Sequence, residues 1–149
     1  MKLADEWPES GPRVLWKRKL GDGYSSIVSA NRQSKDPGEG RTSGATLFTM
    51  YRSDDRERIV ALNAETGETI WEHKYEAEFR EGTNVTQFGP GPLSTPLIVD
   101  DRILSVSIDG QLRCLDLANG KLLWKHDLPA KFGRLKRDEE YGYSASPLR

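Results

Sequence analysis

Cysteine is almost missing: Cys114 stands alone among 149 residues, which excludes an internal disulfide framework and a cysteine-rich zinc site. No apolar run approaches the roughly 18 residues that cross a bilayer as a helix, so no membrane span is expected. The opening residues Met1 to Trp7 (MKLADEW) lack the long apolar core of a signal peptide. Neither sign of charge is in excess, with 22 Lys and Arg against 23 Asp and Glu. The broad basic field of a nucleic-acid or polyanion binder is therefore absent. Long helical stretches are lacking too, while 14 glycines and 8 prolines punctuate the chain, as in a β protein. At this length the chain makes one domain at most.

What is present is a repeat. Ile59 to Trp71 (IVALNAETGETIW) matches Leu112 to Trp124 (LRCLDLANGKLLW) at a constant offset of 53 positions. Trp16, which follows Val14-Leu15, lies 55 positions before Trp71. Upstream, Ser26-Ile27-Val28, Thr95-Pro96-Leu97 and Ser146-Pro147-Leu148 correspond, and each follows a glycine-containing approach. A period of this size marks a supersecondary unit that stacks on copies of itself. The second unit reads as four strands near Thr95–Val99, Ile103–Ile108, Gln111–Leu117 and Lys121–Leu128. Asp109-Gly110 and Asn119-Gly120 supply hairpin turns. The first unit follows the same plan with two insertions. Asn31 to Gly44 is polar and glycine-rich and reads as an exposed, mobile loop. The turn from Arg52 to Arg58 is three residues longer than its counterpart, an insertion that loops absorb at little cost.

Strand alternation gives the packing. Ile59, Ala61 and Asn63 point one way and Val60, Leu62 and Ala64 the other, so both faces are largely apolar. Such sheets are buried only by stacking face to face. The fold class expected is all-β: two complete four-stranded propeller blades with a flanking strand at each end, forming a segment of a larger β-propeller. A closed ring takes about four to eight blades. The expected divisions are 1–20 for the outer strand of a preceding blade, 24–75 and 93–128 for the two blades, and 143–149 for the start of the next.

The two blocks resemble the tryptophan-docking motif of quinoprotein-like propellers, A-x-D-x-x-T-G-K-x-x-W. Ala61, Asn63, Thr66, Gly67, Glu68 and Trp71 form one copy; Cys114, Asp116, Asn119, Gly120, Lys121 and Trp124 form the other. Asn63, Glu68, Cys114 and Asn119 depart from the motif but keep its size or turn chemistry. Each indole is then expected to lie over the turn of the next blade and find a partner for its N–H. The resemblance, which extends to outer-membrane assembly propeller lipoproteins, implies a non-catalytic binding scaffold with a periplasmic or extracellular location. Its partners would be the rest of the propeller or further copies of the chain, and another protein. A fragment of a pyrroloquinoline-quinone-dependent alcohol or sugar dehydrogenase, with calcium, is one alternative. Such enzymes hold the cofactor in an eight-bladed ring, often beside adjacent cysteines, and this chain has neither, so outside that alternative no cofactor is expected. A sensor domain of a larger protein is another.

Candidate chemistry is thin. His73 and His126 are repeat equivalents on outer strands of different blades and are expected to lie apart, short of the three or four convergent ligands zinc wants. Cys114 occupies the motif alanine and reads as a buried small hydrophobe. No serine sits in a nucleophile elbow. Asp54-Asp55, Asp100-Asp101 and Asp138-Glu139-Glu140 read as solvated turns. The basic run Lys131 to Arg137 is cancelled by the acids that follow it, and Asn84-Val85-Thr86 fits the short glycosylation sequon. One set carries a functional expectation: Tyr24, Ser25, Ser94, Thr95, Tyr143 and Ser144 precede the innermost strands and would ring one mouth of a central channel. The same small residues also suit a crowded axis, with the tyrosines packed between blades.

Overall fold

A computed structural model describes residues 8–31, 44–78, 89–133 and 142–148. Its regular structure is nearly all β, in two four-stranded antiparallel sheets. The first orders β1 (Val28–Asn31), β2 (Ala45–Ser53), β3 (Arg56–Asn63) and β4 (Thr69–Glu76). The second orders β5 (Leu97–Val99), β6 (Arg102–Val106), β7 (Gln111–Asp116) and β8 (Leu122–Asp127). Each sheet is a simple meander, as short turns dictate. The all-β, two-sheet class expected from the repeat is the class observed.

The repeat extends to irregularities. Pairing slips between Ala61 and Leu62 in the first sheet and between Cys114 and Leu115 in the second. The slip leaves Ile70 and Leu123, one residue before each repeat tryptophan, as the extra residue of a bulge. Bulges bend and re-aim a strand, and here they set the direction of the indole that follows.

Of the boundaries that differ from expectation, three have clear local reasons. The longer first hairpin is not a longer turn: Arg52 pairs with Glu57 and Ser53 with Arg56. Only Asp54 and Asp55 remain in the turn, at φ of 50° and 58°. A two-residue turn with both centres at positive φ matches strand twist, so the added residues lengthen the strands. β5 begins at Leu97 rather than Thr95, because Pro96 has no N–H for a ladder and the Thr95 N–H is bonded elsewhere. β8 ends at Asp127, whose carboxylate accepts from the Ala130 N–H at 2.8 Å and caps a short helix, α1 (Leu128–Phe132), with Pro129 in its first turn.

The core lies between the sheets. Phe48, Met50, Ile59, Ala61 and Trp71 of the first meet Ile103 and Leu115 of the second. Phe48 and Trp71 rings stack tilted, 5.8 Å apart. Burying each large side chain contributes roughly 1.5–3 kcal/mol. On the opposite face of the first sheet, Tyr51, Val60 and Leu62 are covered by Trp16 and Leu20. Residues 8–20, expected as an outer strand, run without a strand partner among the described residues. The segment is held by Trp16 and Leu20, and just beyond it Asp22 and Arg52 exchange backbone bonds of 2.9 and 2.7 Å. Residues 142–148 likewise form no named strand. The loop expected at 31–44 and the sequon at Asn84 lie almost wholly outside the described residues, as do Met1 to Trp7 and the end of the basic run.

Candidate functional site

The seam between sheets is built first by two turns of identical design. In the first, Asn63 Oδ1 accepts from the N–H groups of Glu65 and Thr66 at 2.8 and 3.2 Å. In the second, Asp116 Oδ1 accepts from Ala118 and Asn119 at 2.9 and 3.1 Å. Thr66 Oγ1 accepts from Glu68 N–H at 3.3 Å, and Asn119 Oδ1 takes the equivalent bond from Lys121 at 2.9 Å. Asn63 for Asp and Asn119 for Thr therefore keep the same bonds. Gly67 and Gly120 close the turns at φ of 73° and 71°, where a side chain would be strained.

Those glycines also leave room for an indole. A Cβ on Gly120 would lie 2.4 Å from Trp71 Cε3, and one on Gly67 would lie 2.6 Å from Trp16 Cδ2. Trp71 Nε1–H donates to Leu117 O at 3.0 Å, and Trp16 Nε1–H donates to Ala64 O at 2.9 Å. Each ring thus reaches a free carbonyl of the following turn and covers its glycine. Ala61 and Cys114, both fully buried, stand opposite Trp71 and Trp124 on the neighbouring strand. Trp124 is only half-buried, lies 5.1 Å from His126, and among the described residues has no acceptor for its N–H.

The residues expected at a channel mouth divide into two groups. Ser26 N–H donates to Thr95 Oγ1 at 3.1 Å, and Thr95 N–H donates to Ser146 Oγ at 2.9 Å. The three residues are repeat equivalents, so one backbone-to-hydroxyl bond steps from unit to unit beside the innermost strands. Ser25 Oγ supports this line, accepting from Met50 N–H at 3.3 Å. Tyr24 and Ser144 are exposed, and Tyr24 N–H donates to Pro92 O at 2.9 Å. Ser94 is fully buried, and its hydroxyl donates to Val106 O. Tyr143 sits with its ring against Gly110 and its N–H on Ile108 O at 3.0 Å. Ser94 and Tyr143 thus join parts of the scaffold to each other.

A polar cluster in the seam was missed by the reading of the sequence. Glu57 is wholly buried at the start of β3. Its Oε1 accepts from Ile108 N–H of the second sheet at 3.1 Å, and its Oε2 accepts from Tyr75 O–H at 3.0 Å. The Arg113 guanidinium lies 3.6 Å from the centre of the Tyr75 ring, a close cation–π contact across the sheets. Burial pushes the Glu57 carboxyl up to about 7, opposed by the Ile108 and Tyr75 hydrogen bonds. Burial and the adjacent Glu57 raise Tyr75 well above the ordinary tyrosine value. His73, 5.9 Å from Tyr75, is lowered by burial and by Arg113. Cys114 is raised by burial, the setting of an inert thiol. His73 and His126 belong to different sheets, and among the described residues no three His, Cys, Asp or Glu side chains converge as a metal site would require.

A family described as outer membrane protein assembly factor BamB matches residues 8–137. Methanol dehydrogenase [cytochrome c] subunit 1 of Methylobacterium organophilum is 32% identical over 89 residues, which are 60% of this chain and 13% of that protein. Outer membrane protein assembly factor BamB of Alteromonas naphthalenivorans is 25% identical over 126 residues, 80% of this chain and 28% of that protein. The crystal structure of BamB from Moraxella catarrhalis aligns with a TM-score of 0.44 at 16% identity, covering 87% of this chain and 43% of that one. The chain thus spans less than a third of the length of these two sequence relatives.

Proposed function

The chain belongs to the family of outer membrane protein assembly factor BamB, and from that premise we propose that it is a non-catalytic segment of a β-propeller that serves as a scaffold for protein contacts. The carrying observation is the twice-repeated indole contact, Trp16 on the Ala64–Gly67 turn and Trp71 on the Leu117–Gly120 turn. The side chains that define the repeat are used in holding sheet to sheet. The exposed Tyr24 and Ser144, near the line of hydroxyls, form the surface that meets a partner. By likeness to relatives named as outer membrane assembly factors, the partner is a protein and the location periplasmic. No helix among the described residues is long and apolar enough to cross a membrane.

Photo-cross-linking from positions 24 and 144 of the protein in its own cells tests this reading. Discrete protein adducts are expected, and adduct-free protein from both positions would overturn it. A second reading, a fragment of a quinone-dependent dehydrogenase, is favoured by the 32% identity to methanol dehydrogenase. The donors present do not fit a calcium-held quinone: the one thiol is buried and no ligand cluster converges among the described residues. Dye reduction on adding pyrroloquinoline quinone, calcium and methanol would establish this second reading over the first.

A further inference from the structure

Glu57 is the one carboxylate lodged wholly inside the seam among the described residues, and nothing in the scaffold reading uses it. Every element packed around it presents a polar or charged group. Tyr75 of β4 donates to it, and the Ile108 N–H from the turn after β6 donates across the seam. Asp109 of that same turn is held by Ser107 Oγ–H and by Glu78 N–H, the latter at 3.1 Å. Arg52 of β2 donates to Ala77 O and Asp55 O at 3.2 and 3.1 Å, and its charge favours the ionised carboxyl more weakly than burial opposes it. Arg113 of β7 lies over the Tyr75 ring. The carboxyl therefore has two good hydrogen bonds, one from each sheet, but no direct ion pair and a second acid nearby.

We propose that Glu57 is a proton-held latch across the seam: as the neutral acid it joins the two sheets, and as the carboxylate it loosens them. In the neutral form Oε2–H donates to the Tyr75 oxygen, whose own O–H rotates away from Glu57, while Oε1 continues to accept from Ile108 N–H. Both sheets then remain bonded to one uncharged group. Loss of the proton leaves a wholly buried charge without an ion pair beside Asp109, a state that water entry relieves.

The sign follows from the raised folded-state value of about 7 against an ordinary 4.5. Between those values the unfolded chain has lost this proton and the folded chain keeps it, so stability falls as pH rises. The full contribution is present below about 4.5 and is gone above about 7. The unfolding constant rises by up to about tenfold per pH unit across that window, roughly 300-fold in all. His73, lowered in the fold, acts oppositely, its contribution being present above the ordinary histidine value and lost as pH falls below it.

The test combines carbon NMR titration of the glutamate carboxyls with urea unfolding between pH 5 and 8, on the 149-residue chain and on Glu57→Gln. Glutamine accepts from Ile108 and donates to Tyr75, and so copies the neutral latch. One carboxyl titrating near 7, missing in Glu57→Gln, is expected, together with loss of the fall in stability with pH. If the variant does not fold, amide exchange at Ile108 in the unmodified chain decides. Its protection should drop up to about tenfold per pH unit between pH 5 and 7 after correction for intrinsic exchange. A Glu57 carboxyl titrating near 4.5, an unchanged pH slope in Glu57→Gln, or pH-independent protection at Ile108 would overturn the latch.

Discussion

Replacing Trp71 by alanine removes a ring that is 9% exposed, wedged between Phe48 and the Gly120 turn. A buried tryptophan hides about 150–250 Å², which at about 25 cal/mol per Å² is worth about 4–6 kcal/mol. Large-to-small replacements of this type cost about 3–5 kcal/mol, so ~4 kcal/mol is expected for Trp71→Ala. In a domain of this size that lowers the melting temperature by roughly 8–16 °C, a large share of a typical stability of about 5–15 kcal/mol. Trp71→Phe keeps much of the apolar contact but abandons the bond to Leu117 O, costing ~1 kcal/mol from that source. The decisive comparison is Trp124→Ala, the repeat equivalent whose ring is less completely buried and, among the described residues, donates to no carbonyl, where a smaller cost of ~2–3 kcal/mol is expected. Urea unfolding followed by circular dichroism reads all three. Equal costs at Trp71 and Trp124, or a cost below ~1 kcal/mol at Trp71, would refute the reasoning.

Gly120→Ala should cost ~2–4 kcal/mol, from a left-handed φ and a Cβ forced to 2.4 Å from Trp71 Cε3; Gly11→Ala, at φ 76° in open space, should cost only about 1–2 kcal/mol. Thermal melts of the pair separate strain from collision. Asn63→Ala and Asp116→Ala each remove two turn bonds and should cost ~1 kcal/mol, near the cost of losing a helix cap. Their effects should add in the double variant, since the turns share no partner. Cys114, fully buried with its thiol raised, should resist an aromatic disulfide reagent in native buffer and react only as urea unfolds the chain; rapid native labelling would contradict that placement.

Much of this was legible in the sequence because it depends on neighbours along the chain. The 53-residue offset between Trp71 and Trp124 located both sheets, and the paired bulges obey the same offset. Turn chemistry at Asn63 and Asp116 was readable because a short polar side chain bonds the backbone two or three residues ahead. What escaped depends on groups brought together from distant positions. Glu57 is in phase with Ile59 and Ala61 on β3, so alternation alone placed a carboxylate on the buried face. Only the fold shows Ile108 and Tyr75 waiting for it. Ser94 precedes β5 like its repeat mates, yet its neighbours turn the hydroxyl inward to Val106. The helix after β8 carries a local signal, Asp127 two positions before Pro129, which a strand read through to Leu128 passes over.

Hydrogen exchange at the tryptophan Nε1–H groups, read in a nitrogen-15 NMR spectrum, shows whether each indole is pinned on the turn of the next repeat. Trp16 and Trp71, bonded to Ala64 O and Leu117 O at 2.9 and 3.0 Å, should exchange slowly, and Trp124 fast. Exchange at Trp71 as fast as at Trp124 would contradict that pinning.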